Sequence, residues 1–82
     1  MRTATEIMNA LPSEHRDTIM NICRIMYRSD KSRYKESVDF LDGYLFCLLK
    51  SDIISDPDED ELFEWCKSEK PRKYFKIGVE VK

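Results

Sequence analysis

A helix-start signature in the second half of the chain constrains the fold more than any other feature. Residues 52–65, Asp52-Ile53-Ile54-Ser55-Asp56-Pro57-Asp58-Glu59-Asp60-Glu61-Leu62-Phe63-Glu64-Trp65, carry seven acidic residues and no basic one. Asp56 reads as an N-cap, and Pro57 as the first helical residue, where a missing N–H removes no intrahelical bond. Glu59 follows Asp56 by three positions and reads as the side chain that reaches back to close a capping box. The segment is thereby committed to helix, with Leu62, Phe63, Trp65 and Cys66 as its apolar positions. Pro71 is expected to forbid its continuation, so the helix is bounded at about 57–69.

The preceding sequence repeats this logic. Thr3 and Glu6 make a Thr-x-x-Glu capping box, and Ala4, Ile7, Met8 and Leu11 recur at helical spacing up to Pro12, predicting a short helix over 4–11. Ser13 is expected to cap a second helix over 14–28, with Ile19, Ile22, Cys23 and Met26 as its apolar stripe and Arg24 and Arg28 complementing its C-terminal end. The polar segment Ser29-Asp30-Lys31-Ser32 interrupts the pattern, and Ser29, Asp30 or Ser32 can cap the next helix, expected over 33–50. Tyr34, Val38, Leu41, Leu45 and Leu48 form one stripe of that helix, while Phe40, Tyr44, Phe46, Cys47 and Leu49 spread around the rest. Apolar residues on nearly every side predict burial on several sides. Gly43 costs such a helix about 1 kcal/mol relative to alanine, which suggests a close approach of another helix backbone, internal or between subunits. Burial of leftover apolar surface in a homodimer follows as one expectation.

Tyr74 to Val81 alternates, with Phe75, Ile77, Val79 and Val81 on one side, and predicts an extended, β-like tail over 73–81. The expected architecture is therefore all-α: a small three- to four-helix bundle with an extended C-terminal tail, in a single domain spanning 1–82. A domain of 82 residues buries only about 60% of the surface its unfolded chain exposes, so its stability is expected to be marginal or shared with a partner.

Charge narrows the functional classes. The formal net charge of −2 supplies no global field toward nucleic acid or an anionic membrane, so electrostatic function must be local. Locally the chain reads basic, acidic, basic: Arg24, Arg28, Lys31, Arg33 and Lys35 precede the acidic run, and Lys67, Lys70, Arg72, Lys73 and Lys76 follow it. Solvated helix faces are the ordinary reading of such blocks, and docking surfaces the functional one. The odd set Cys23, Cys47 and Cys66, each inside an apolar helical pattern, reads as three core thiols. With no apolar run after Met1 of the secretory kind, this predicts a cytoplasmic location. The longest mainly apolar run, Tyr44 to Leu49, is far short of the ~20 residues that span a bilayer, so no membrane partner is expected.

Specific chemistries each require a definite residue spacing. Asp56, Asp58 and Asp60 match positions one, three and five of a calcium-binding loop, but Glu61 stands where glycine is required and Lys67 where glutamate is required. The cysteines with His15, the only histidine, lack the Cys-x-x-Cys spacing of a zinc site. Gly43 and Gly78 are the only glycines, so no phosphate-cradling loop exists, and a lone histidine offers no recognisable catalytic set. No enzyme activity, cofactor or metal is expected.

Two binding classes and one structural class remain. The first is a small accessory protein, an adaptor or inhibitor that binds a partner protein through Asp58, Asp60, Glu61 and Glu64 with the flanking Phe63 and Trp65, the latter equally readable as core. The second is a DNA-binding regulator using the basic segment 24–35, in which Arg24 and Arg28 meet phosphates, Lys31 lies in the turn, and Arg33 and Lys35 begin a recognition helix; the absence of a turn glycine and the apolar second half of that helix count against it. The third is a structural homo-oligomer.

Overall fold

A computed structural model describes residues 2–28 and 31–76, and five helices account for most of them. They are α1 (Ala4–Ala10), α2 (Ser13–Arg28), α3 (Lys31–Lys50), α4 (Asp56–Cys66) and α5 (Lys70–Phe75). The all-α class is as the periodicity requires. Helices α2 and α3 pack together, α4 lies on α3, α1 closes over α4, and α5 bridges α4 and α2. One core joins them, built on Ile7, Met8, Ile19, Cys23, Leu41, Leu45, Leu62 and Cys66.

The short first helix is held at both ends. Thr3 Oγ1 accepts from Glu6 N at 3.2 Å while Thr3 N donates to Glu6 Oε1 at 2.8 Å, the reciprocal capping box expected from Thr-x-x-Glu. At the other end, Arg16 reaches from α2 and donates to the carbonyls of Met8 at 3.1 Å and Leu11 at 2.9 Å. These are carbonyls near a helix end, where intrahelical partners run out. A two-turn helix too short to persist alone is thus fixed by tertiary contacts.

Helix α2 includes Ser13 as its first residue, with Pro12 O accepting from Arg16 N at 3.1 Å. Helix α3 starts at Lys31, two residues before the expected position, which places Ser32 inside the helix; Ser29 and Asp30 lie outside the described residues. Its end is a Schellman turn: Ile53 N donates to Leu48 O at 2.9 Å and Asp52 N to Leu49 O at 3.0 Å. Asp52 occupies the left-handed position, φ 62°, that glycine ordinarily fills.

Two expectations about α3 are overturned and a third is narrowed. Only the stripe Leu41, Leu45 and Leu48 is buried, while Phe40 is 61% and Phe46 49% exposed. Cys47 is exposed as well, so the core thiols are Cys23 and Cys66 alone among the three. A Cβ placed on Gly43 would meet nothing within 4 Å, so among the described residues no helix of the protomer approaches there, which leaves only the expected approach between subunits. The physical reason is coverage: the neighbours α2 and α4 enclose only one side of a helix that is apolar around most of its circumference.

Beyond α4 the chain departs from the expected strand. Ser68 turns it: its Oγ donates to Trp65 O at 2.6 Å and accepts from Lys70 N at 3.2 Å. Pro71 then sits in the first turn of α5, where proline starts a helix rather than stopping one. Tyr74 and Phe75 are therefore helical, and both fold back on Trp65 with edge-on ring contacts at 5.5 and 6.2 Å. The remainder of the expected β-like tail, residues 77–81, lies outside the described residues.

Candidate functional site

The acidic run folds so that its charges face two ways. Ser55, not Asp56, is the N-cap of α4: its Oγ accepts from Asp58 N at 3.3 Å, and Ser55 N donates to Asp58 Oδ2 at 3.1 Å. The capping box is thus Ser55-x-x-Asp58, one residue earlier than Asp56-x-x-Glu59, with Pro57 in the second helical position. The signal was present, because Ser-x-x-Asp before an apolar run is itself a capping pattern. A serine cap with a tertiary partner for its third-position carboxylate outcompetes the equivalent aspartate frame.

That partner is Arg2. Its Nη2 donates to Asp58 Oδ2 at 2.5 Å, and Asp58 is only 5% exposed. Burial pushes the Asp58 carboxyl up, but the hydrogen bond from Arg2, those from the Ser55 backbone and side chain, and the Arg2 charge outweigh it and hold the group below the ordinary carboxylate range. Arg2 and Asp58, with Asp52, Ile53, Ile54, Ser55 and Pro57, line an open depression of about 650 Å³. Asp58 is removed by this geometry from the set of partner-binding candidates, since it is spent on tying the start of α1 to the start of α4.

The opposite side of α4 is a ridge of acids. Asp56, Asp60 and Glu64 follow at four-residue intervals, and with Pro57 and Glu61 they line a second open depression of about 440 Å³. Asp56 and Asp60 are exposed and Glu61 half-buried. Glu64 reaches Lys67 at 3.3 Å, a solvent-exposed pair of small energetic weight. Glu59 stands between this ridge and α3: burial raises its carboxyl, and the charges of Asp42, Asp60 and Asp56 raise it further.

The flanking aromatics separate in the same way. Phe63 is half-buried with Lys67 Nζ over its ring at 4.2 Å. Trp65 is 7% exposed and belongs to the core, packed against Tyr74 and Phe75 of α5, so it is not an open docking residue. Tyr74 also donates its hydroxyl to Asn9 Oδ1 of α1, and Tyr27 donates to Ser68 O at 2.7 Å. Burial first, and then the nearby Cys23, Glu69 and Cys66, push Tyr27 up to about 12.

The basic candidates are spread over two helices. Arg24 and Arg28 are exposed in the last two turns of α2, Lys31 begins α3, and Arg33 and Lys35 are exposed in the first turns of α3. His15, half-buried, meets Tyr44 Oη through Nδ1 at 2.7 Å, a contact that joins α2 to α3. Among the described residues no group of three or more His, Cys, Asp or Glu is arranged to hold a metal ion, and no helix is long and apolar enough to cross a membrane.

Among the described residues the fold and the site define a small all-α chain with an acidic ridge on α4 and a face of α3 on which Phe40 and Phe46 are exposed among charged side chains. No family model, no curated protein and no solved structure matches it.

Proposed function

We propose that the chain is a non-enzymatic interaction module, an adaptor or inhibitor that binds a basic surface of a partner protein through the outer ridge of α4. Asp56, Asp60, Glu61 and Glu64 carry the binding, and Asp58 and Trp65 support it from within the fold. The observation behind this reading is the spacing of Asp56, Asp60 and Glu64. Like charges at i, i+4 destabilise a helix by about 0.2–0.5 kcal/mol per pair. Helix-start chemistry accounts for Asp56, which lies in the first turn and offsets the dipole, but not for Asp60 or Glu64 farther along. A charge arrangement that costs the free helix stability is accounted for when a cationic partner neutralises it, and such complementarity chiefly raises association rate and specificity.

The test is affinity purification from the native host with the wild-type chain and with Asp60→Lys, Glu61→Lys and Glu64→Lys combined. Stoichiometric recovery of one protein by the wild type, weakened by salt and lost with the triple variant, is the expected result. Equal recovery with both chains would reduce the ridge to a solvated helix face. The variant leaves the Arg2, Ser55 and Asp58 cap intact, so folding can be checked independently by circular dichroism.

A further inference from the structure

We propose that the exposed face of α3 is a self-association surface, on which a second copy of this chain docks antiparallel about a two-fold axis at Gly43. The proposal does not rest on the α4 ridge. Gly43 is exposed, has nothing within 4 Å of its missing side chain, and still costs an interior helical position about 1 kcal/mol relative to alanine. Among the described residues nothing in the protomer accounts for that cost. A neighbouring helix backbone outside it does, because glycine permits the closest approach of two helices.

The residues around Gly43 are arranged as a self-complementary set. Phe40 and Phe46 lie three positions to either side of it, and both are exposed, at 61% and 49%. Glu36 and Lys50 lie seven positions to either side and are also exposed. At about 100° per residue, all of these fall within about 60° of the direction in which Gly43 points. Lys50 Nζ lies over the Phe46 ring at 5.2 Å, so the two side chains share this surface. In a shallow antiparallel crossing centred on Gly43, Glu36 of one protomer comes level with Lys50 of its partner, and the axis repeats the pair. Phe40 and Phe46 then flank the close contact on its two sides. A parallel pairing in register would instead set Glu36 against Glu36 and Lys50 against Lys50. Asp39 and Cys47, four positions to either side of Gly43, are exposed on the same face and come level with one another across the axis, so each Asp39 meets a thiol rather than a like charge. Opposite charges at symmetric offsets, with Phe40 and Phe46 inside them, satisfy the isologous rule that a two-fold interface must be complementary to itself.

Sedimentation equilibrium of the full chain over a range of concentrations tests this directly. The expected result is reversible dimerisation from the 9.8 kDa monomer. Glu36→Lys alone and Lys50→Glu alone each set like charges against one another twice and should weaken the dimer about tenfold or more, whereas the two combined should restore it. Register is read separately: chains carrying Glu36→Cys mixed with chains carrying Lys50→Cys, both in a Cys47→Ser background that keeps Gly43, should cross-link between protomers on mild oxidation, since helices about 8–9 Å apart bring position 36 of one copy within disulfide reach of position 50 of the other. Cys47 in the wild type should not, because the axis separates the two copies by about 12 Å along the helices. A wild type monomeric at every concentration overturns the proposal. A double charge variant as weak as the singles, or no cross-link between positions 36 and 50, overturns the antiparallel arrangement.

Discussion

Asp58 and Asp60 are two residues apart on the same helix and do opposite things to it. Asp58 turns inward, is 5% exposed, and completes three hydrogen bonds to Arg2 and Ser55. Asp60 turns outward into a ridge of like charge and raises the carboxyl of its neighbour Glu59. Composition treats the two as equivalent. One is a stabilising joint between α1 and α4, and the other part of a run of like charge that costs the helix stability.

The contrast can be broken by mutation. Replacing Asp58 by alanine removes the third-position cap partner and leaves the Ser55 N–H and the Arg2 guanidinium without their acceptor, so urea unfolding should show a loss of about 2 kcal/mol. The same change at Asp60 should stay within about 0.5 kcal/mol of the wild type. Comparable losses at both positions would remove the distinction between joint and ridge.

Acid titration sharpens the comparison through its sign. The Asp58 carboxyl is lowered in the folded chain, so its contribution to stability is complete above its unfolded value and is lost as pH falls through the lower folded one. Glu59 is raised above 4.5, so protonating it favours the fold: its contribution is present below the unfolded value and is lost as pH rises through the folded one. Carboxyl-carbon NMR should therefore find Asp58 titrating below the ordinary aspartate range and Glu59 above 4.5, and Asp58→Asn should flatten the acid-side loss of stability.

The smallest expected effect concerns the first acid of the run, Asp52, which belongs to neither side. It holds the left-handed position of the Schellman turn, where a side chain is strained. Asp52→Gly should raise stability by about 0.5 kcal/mol, measured as a higher urea midpoint at unchanged slope. A loss would mean that its carboxylate contributes something the backbone geometry does not require.

Much of the helical framework was legible from capping residues and periodicity. Thr3 with Glu6, the stripe Ile19, Ile22, Cys23 and Met26, and the stripe Leu41, Leu45 and Leu48 are local signals that the fold obeys. The acidic site was legible only in part. Ser55 and Asp56 both begin acceptable capping boxes, and choosing between them required Arg2, which is 56 residues distant from Asp58 in the chain. The alternation Phe75, Ile77, Val79, Val81 reaches the described residues only at Phe75, where α5 is helical. Pro71 has two opposite meanings, helix end and helix start, and the turn at Ser68 decided between them. Trp65 could be placed in the core only after α5 was seen to fold back on it.

The sequence by itself determined that this chain is helical, where most of its helices run, and that its charge is segregated into blocks, because caps, dipoles and 3.6-residue periodicity act over a few neighbouring residues. Only the tertiary structure decided which side of each helix is left over. It buried Asp58 and exposed Asp60, buried Cys23 and exposed Cys47, and left Phe40 and Phe46 uncovered around Gly43. Periodicity reports that a residue lies on a given side of a helix; whether a neighbouring helix covers that side depends on contacts between distant segments.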